Sequence, residues 1–136
     1  MLLNSLDAIA GTDRDCSGDG WKSRRFLRKS DGMGFSLHDT VIEPGAEMTL
    51  WYKHHLEANL CVEGSGEVVD LATGETHAIA PGTMYSLDKH DRHIVRSATG
   101  MRLVCVFYPA LSGLETHDAE GSYEADGGCC LELRGE

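Results

Sequence analysis

Basic residues are scarce in this chain: 12 Lys and Arg stand against 22 Asp and Glu, for a formal net charge of −10. Such a balance repels phosphate backbones and anionic lipid, which argues against nucleic-acid and membrane partners. Long apolar runs are missing too. The longest, around 101–107 and 60–62, are strand-sized and far short of the roughly 20 residues of a membrane helix. Met1-Leu2-Leu3-Asn4-Ser5-Leu6-Asp7 carries no basic region ahead of a long apolar core, so no secretory signal is expected and the expected compartment is the cytoplasm. Cysteine is odd in number, at 16, 61, 105, 129 and 130, with no CxxC, so neither a disulfide framework nor a zinc knuckle is indicated. No repeat and no linker is visible, and 136 residues leave no room for a second full domain.

What is present is ordinary globular composition, 41% hydrophobic and 25% charged, cut into short pieces by 16 glycines. Runs of strand type occupy Arg24–Arg28, Phe35–Ile42, Met48–Tyr52, Ala58–Val62, Glu67–Leu71, Thr76–Ile79, Thr83–Leu87, His93–Arg96 and Arg102–Tyr108. Turn signals separate them, among them Asp31-Gly32, Pro44-Gly45, Thr73-Gly74, Pro81-Gly82 and Thr99-Gly100. This spacing predicts an all-β sandwich or barrel. Helical turns are expected only at Ser5–Ala10, with Asn4 or Ser5 as N-cap, and near Ser112–His117. Residues 1–123 read as one domain, and 124–136 as a flexible tail beyond it.

Two loose metal motifs of the cupin superfamily can be laid on this pattern. The first runs Gly, five residues, His-x-His, three or four residues, Glu, six residues, Gly. It falls on Gly45, Trp51, Lys53, Glu57 and Gly64, so both histidine positions are replaced. The second, which ends in histidine, falls on Gly82 and His93 and lacks its inner Pro and Gly. Two of four usual ligands survive, Glu57 and His93. Either the site is lost or another residue completes it, and Tyr85 is a reasonable third. A phenolate is a hard oxygen donor suited to iron, and an O/N set with open positions resembles non-haem Fe(II) sites more than closed zinc sites.

Whole segments carry a closer resemblance. Gly11–Asp15, Asp31–Thr40, Trp51–Ala58, Asp70–His77, Leu87–His93 and Met101–Phe107 are similar to ectoine synthase, and these matches spread over residues 1 to about 123. The resemblance implies a single-domain cupin jelly-roll barrel, all-β and usually homodimeric, that forms the compatible solute ectoine in the cytoplasm. The substrate it implies is N4-acetyl-L-2,4-diaminobutyrate, closed to a cyclic amidine with loss of water. It also implies Fe(II) as the favoured metal, with other divalent transition metals such as Zn as alternatives. The family's ligands fall on Glu57, Tyr85 and His93, the trio reached by spacing. Its pocket residues fall on Trp21, Arg25, Thr40, Tyr52, Phe107, Glu115 and His117.

The chemistry explains why such groups are needed. An amine must attack the carbon of an acetamide, a poor electrophile, after which an oxygen leaves as water. A Lewis acid on the amide oxygen, a folded substrate and an acid/base pair each lower that barrier. With Glu57 and His93 assigned to the metal, Tyr52, Glu115 and His117 are the acid/base candidates. Arg25 is the candidate partner of the substrate carboxylate, since a guanidinium grips it bidentately. Trp21 and Phe107 would wall the site against water, which reverses the reaction.

Plainer readings stand beside these. Tyr85 could be a barrel-lining tyrosine, Cys105 inert core, His90 a turn residue, and His54 and His55 surface or supporting positions. Tyr52 poses a conflict: strand alternation places it opposite Trp51 and Lys53, which the cupin motif turns inward. Either a bulge intervenes or the strand ends before it. Two other functions are compatible with a cupin, a dioxygenase and a non-catalytic solute binder. The missing His-x-His counts against the first, and the intact acid/base candidates against the second.

Overall fold

The computed structural model describes residues 1–112 and 121–123. One short helix, α1 (Leu6–Ile9), precedes ten strands: β1 (Asp15–Gly18), β2 (Trp21–Leu27), β3 (Ser36–Ile42), β4 (Ala46–Leu50), β5 (Leu56–Gly64), β6 (Gly66–Asp70), β7 (Thr76–Ile79), β8 (Met84–Leu87), β9 (His93–Ser97) and β10 (Met101–Tyr108). They form two antiparallel sheets, a six-stranded one in the order β1-β2-β3-β10-β5-β8 and a four-stranded one in the order β4-β9-β6-β7. The all-β jelly-roll expectation is met. The sheets face each other without closing into a continuous hydrogen-bonded barrel: β1 and β8, the edges of one sheet, pair with neither β4 nor β7, the edges of the other.

Side-chain alternation makes the two layers. On β10, Met101, Leu103, Cys105 and Phe107 point inward and are buried, while Arg102, Val104 and Val106 between them are half-buried on the outer face. Trp21, Ile42, Leu50, Val68, Ile79, Leu87 and Val95 complete the apolar layer between the sheets. Gly64, at the end of β5, has φ +75, and a Cβ there would sit 2.2 Å from the Gly100 carbonyl oxygen. Only glycine fits this crossing beneath β10.

The expected strands all form, most with ends moved by one or two residues. β4 begins and ends two residues early, and β2 starts three early, at Trp21. Ser5 caps α1, its Oγ accepting the Ala8 N–H at 3.1 Å. β1 was not expected: Asp15-Cys16-Ser17-Gly18 has little strand propensity, and it is held by register with β2 as an edge hairpin. The second expected helical turn, Ser112–His117, falls mostly outside the described residues.

Candidate active site

The space between the sheets holds a cavity of about 440 Å³, its open mouth included. Trp21 and Ser23 (β2), Thr40 (β3), Glu57 and Asn59 (β5), Tyr85 (β8) and Cys105 and Phe107 (β10) line it from the six-stranded sheet. Tyr52 and Tyr123 close it from the loops. Inward alternation on neighbouring strands is what gathers these side chains: Phe107 is the register partner of Glu57, and Cys105 of both His38 and Asn59.

The Tyr52 conflict is resolved by strand length. β4 stops at Leu50, so the chain is free to turn, and Tyr52 enters the interior at 4% exposure. Trp51 and Lys53 stay half-buried, with the Lys53 ammonium 4.5 Å from the Trp51 ring centre. The two replaced histidine positions of the cupin motif therefore do not build this site. Tyr52 stacks on Tyr123 (centroids 5.1 Å, 19°) and meets the Phe107 ring edge-on at 5.1 Å. Residues 121–123 hold the turn in place: the Trp51 N–H donates to the Gly121 carbonyl at 2.9 Å and the Lys53 N–H to Ser122 Oγ at 3.0 Å. His90, expected to be a plain turn residue, donates its Nδ1–H to the Tyr52 carbonyl at 2.9 Å.

Glu57, Tyr85 and His93 arrive from both sheets. Glu57 pairs with Leu87 and Asn59 with Tyr85, so Glu57 and Tyr85 lie diagonally on adjacent strands, within reach for long side chains. His93 comes from β9, opposite Leu50, and its ring centre is 6.0 Å from that of Tyr52. Burial pushes the Glu57 carboxyl up to about 8, and the Asn59 amide pulls it back only in part. Burial likewise holds the Tyr85 and Tyr52 phenols well above their ordinary value and the His93 imidazole below its own. No three His, Cys, Asp or Glu side chains cluster at metal-binding separation among the described residues; the trio includes a tyrosine.

The donor chemistry fits a metal. A carbonyl can only accept, so His93 Nδ1–H donates to the Asp91 carbonyl at 2.8 Å. That leaves Nε2 as a bare lone pair, and this atom is buried with no hydrogen-bond partner. A histidine anchored through one nitrogen and open at the other has the arrangement of a metal ligand. Glu57 is a buried carboxylate whose charged form no cationic side chain among the described residues favours, and a bound cation would do so.

Among the other candidates, Trp21 and Thr40 line the cavity. Arg25 is completely buried next to it: its Nε–H donates to Ser23 Oγ at 3.3 Å, and its guanidinium lies 6.0 Å from the Tyr123 ring centre. Glu115 and His117 lie outside the described residues. Sequence reasoning missed Ser23, His38, Asn59 and Tyr123. Of the two histidines expected at the surface or in support, His55 is 2% exposed with its ring edge-on to Phe107 at 6.1 Å, a supporting position, and His54 is exposed. The only signal for Asn59 and His38 was parity with Glu57 and Thr40 on their strands.

An antiparallel jelly roll that keeps its polar groups inside the roll rather than on the loops defines a cupin-type protein. An RmlC-like cupin from Shewanella frigidimarina superposes with a TM-score of 0.65 at 20% identity, over 81% of this chain and 92% of that one, a likeness of fold alone. The particular family is given by the sequence: the ectoine synthase family model matches residues 1–127, and the chain belongs to that family. L-ectoine synthase of Desulfosudis oleivorans is 54% identical over 125 residues, 91% of this chain and 97% of that protein. The crystal structure of ectoine synthase from P. lautus superposes with a TM-score of 0.83 at 50% identity, covering 89% of this chain and 87% of its own. The chain is thus an enzyme of ectoine formation, a hydro-lyase.

Proposed function

We propose that this enzyme closes N4-acetyl-L-2,4-diaminobutyrate to ectoine with loss of water, using a divalent metal held by Glu57, Tyr85 and His93. The observation that carries the reading is the orphaned, buried Nε2 of His93, whose ring centre lies 6.0 Å from that of the cavity-lining Tyr52, beside a cavity that holds Tyr85 and the buried Glu57. Fe(II) suits the mixed O/N donor set, with other divalent transition metals such as Zn as alternatives. Bound there, the metal would supply Lewis acidity toward the substrate's amide oxygen.

The chain's own residues supply the rest. Arg25, a buried guanidinium held by the cavity-lining Ser23, takes the substrate carboxylate. Trp21, Tyr52 and Phe107 confine the substrate in a folded shape, bringing amine and acetamide carbon together, and they exclude water. Tyr52, protonated at neutral pH as a phenol is, donates a hydrogen bond or proton to the departing oxygen. Glu115 and His117 are assigned the proton transfers at the attacking amine, and Thr40 a binding contact.

The same reading covers assembly and compartment. Leu56, Leu60, Val62, Met84 and Tyr108 are all exposed, between 37% and 61%, on the outer face of β5, β8 and β10. They are contiguous, since Leu60 pairs with Met84 and Leu56 with Tyr108. A patch of this kind marks an interface, and a second copy of this chain is its proposed occupant. No helix among the described residues is long and apolar enough to cross a membrane; a cytoplasmic location accords with synthesis of an internal osmolyte.

An anaerobic assay of the purified protein with the acetylated diamine, followed by proton NMR with and without Fe(II), tests the reading. Ring closure that requires the metal is expected. Product at the same rate in metal-stripped protein would remove the metal from the reaction, and ectoine bound without turnover would make the protein a solute binder.

A further inference from the structure

One polar group in the cavity has no place in the reaction above. Asn59 is 2% exposed, and its Nδ2 is buried without a hydrogen-bond partner. It stands on β5 two residues after Glu57, on the same face, and its register partner across the ladder is Tyr85. The amide therefore lies between two of the three residues assigned to the metal. Its other end is held: the Cys105 thiol donates to Oδ1 at 2.8 Å, and Cys105 is itself 2% exposed. The amide interacts favourably with an ionised Glu57 carboxylate although Nδ2 completes no bond of normal geometry. With the amide turned over, Oδ1 would face that carboxylate, acceptor against acceptor, so the thiol and the carboxylate select one orientation.

We propose that Asn59, pinned by Cys105, is a positioning residue of the metal centre whose Nδ2–H group orients the Glu57 carboxylate as a ligand. The proposal rests on the assignment of Glu57, Tyr85 and His93 to the metal. Its physical basis is that a ligating carboxylate has lone pairs beyond those given to the metal, and a donor on the free oxygen restricts its rotation. Loss of such supporting donors in metal sites typically weakens binding by about 10- to 100-fold. The amide has no proton to exchange and is given no step in the chemistry.

The test is Fe(II) affinity measured anaerobically by calorimetry without substrate, with metal content per chain by elemental analysis. The proteins compared are the parent, Asn59→Leu, Cys105→Val, Cys105→Ser and Glu57→Gln, and the melting temperature of each metal-free form is recorded. Asn59→Leu is expected to weaken Fe(II) binding by about tenfold or more while leaving the metal-free melting temperature unchanged or higher, because an apolar isostere replaces an unsatisfied donor. Cys105→Val should weaken binding less, and Cys105→Ser, which still donates to Oδ1, should restore it. Fe(II) affinity of Asn59→Leu within twofold of the parent, beside loss of binding in Glu57→Gln, overturns the proposal and spares the metal assignment. Full binding by Glu57→Gln overturns that assignment, and the proposal with it. A lowered metal-free melting temperature with parental affinity would make Asn59 a packing residue only. If Asn59→Leu does not fold, Asn59→Ala is read by the same criteria.

Discussion

His38 shows how much of this interior is polar yet satisfied. It is 1% exposed on β3, between Ser23 Oγ (3.2 Å from Nδ1) and Ser36 Oγ (2.9 Å from Nε2), with the Phe107 ring edge-on. A neutral imidazole accepts at one nitrogen and donates at the other, which two hydroxyls can match; a charged ring would have to donate at both. Burial, and then the charges of Arg25 and His55, hold its pKa well below the ordinary 6.5. The sign follows from linkage. Below pH 6.5 the unfolded chain takes up a proton at this residue that the folded chain refuses, so stability falls as pH falls, by up to about 1.4 kcal/mol per pH unit until the folded-state pKa is reached. Glu57, raised to about 8, slopes the opposite way in both proteins, so calorimetric melting between pH 7.5 and 5.5 should show the His38 decline as the difference between the parent and His38→Gln. A slope unaltered in the variant would refute the claim. Beyond its parity with Thr40, little in Ser36-Leu37-His38-Asp39-Thr40 marks His38 as interior, because polar residues hold both faces of that stretch. Burial was decided by pairing with Arg25 on one side and Cys105 on the other.

At the scale of elements, the cavity depends on how two irregular segments cross. The connection from Leu50 to Leu56 and the strap at 121–123 are tied by the Trp51 and Lys53 amides. Gly121 makes the crossing: its φ is +73, and a Cβ would lie 2.2 Å from the Thr49 carbonyl oxygen and 2.7 Å from Leu50 Cα. Gly121→Ala is expected to cost about 1–3 kcal/mol of strain. Because Tyr123 would leave its stack on Tyr52, ectoine formation should fall by about tenfold or more, while the far-ultraviolet circular dichroism of the roll is kept. Equal activity in the variant would mean that the strap does not shape the cavity. Strand existence was legible for nine of the ten segments, since alternation and glycine turns are local. The ends were less so: β4 stops at Leu50 because Trp51 turns to bond with Gly121, a partner 70 residues away.

Over the whole molecule, the outer face of the six-stranded sheet is divided. At one end Asp39, 3% exposed, pairs with Arg24 and Arg102, and Arg102 extends to Glu63 at 3.2 Å. Burial works against the Asp39 charge, but the two guanidiniums outweigh it and hold its carboxyl below the ordinary range. At the other end lie Leu60, Met84 and Tyr108, with no charge among them. A net charge of −10 keeps copies apart over most of the surface, so this apolar end is where two can meet. Leu60→Lys combined with Met84→Lys is expected to halve the mass measured by light scattering on a sizing column, with melting temperature and metal uptake retained. An unchanged mass of two chains would move the proposed interface elsewhere, and a parent of one chain's mass would remove the proposed dimer.

Sequence alone determined the all-β class, the short strands between glycine turns and the family, because each is written in local alternation or in contiguous segments of sequence. The added strand β1, the inward turn of Tyr52 past the end of β4, the complete burial of Arg25, His38 and His55, and the orphaned nitrogens of His93 and Asn59 came only with the tertiary structure. Each of these depends on which distant segment lies opposite. A residue's own neighbours set the face it presents, but only the packed partner decides whether that face meets water, another side chain or the cavity.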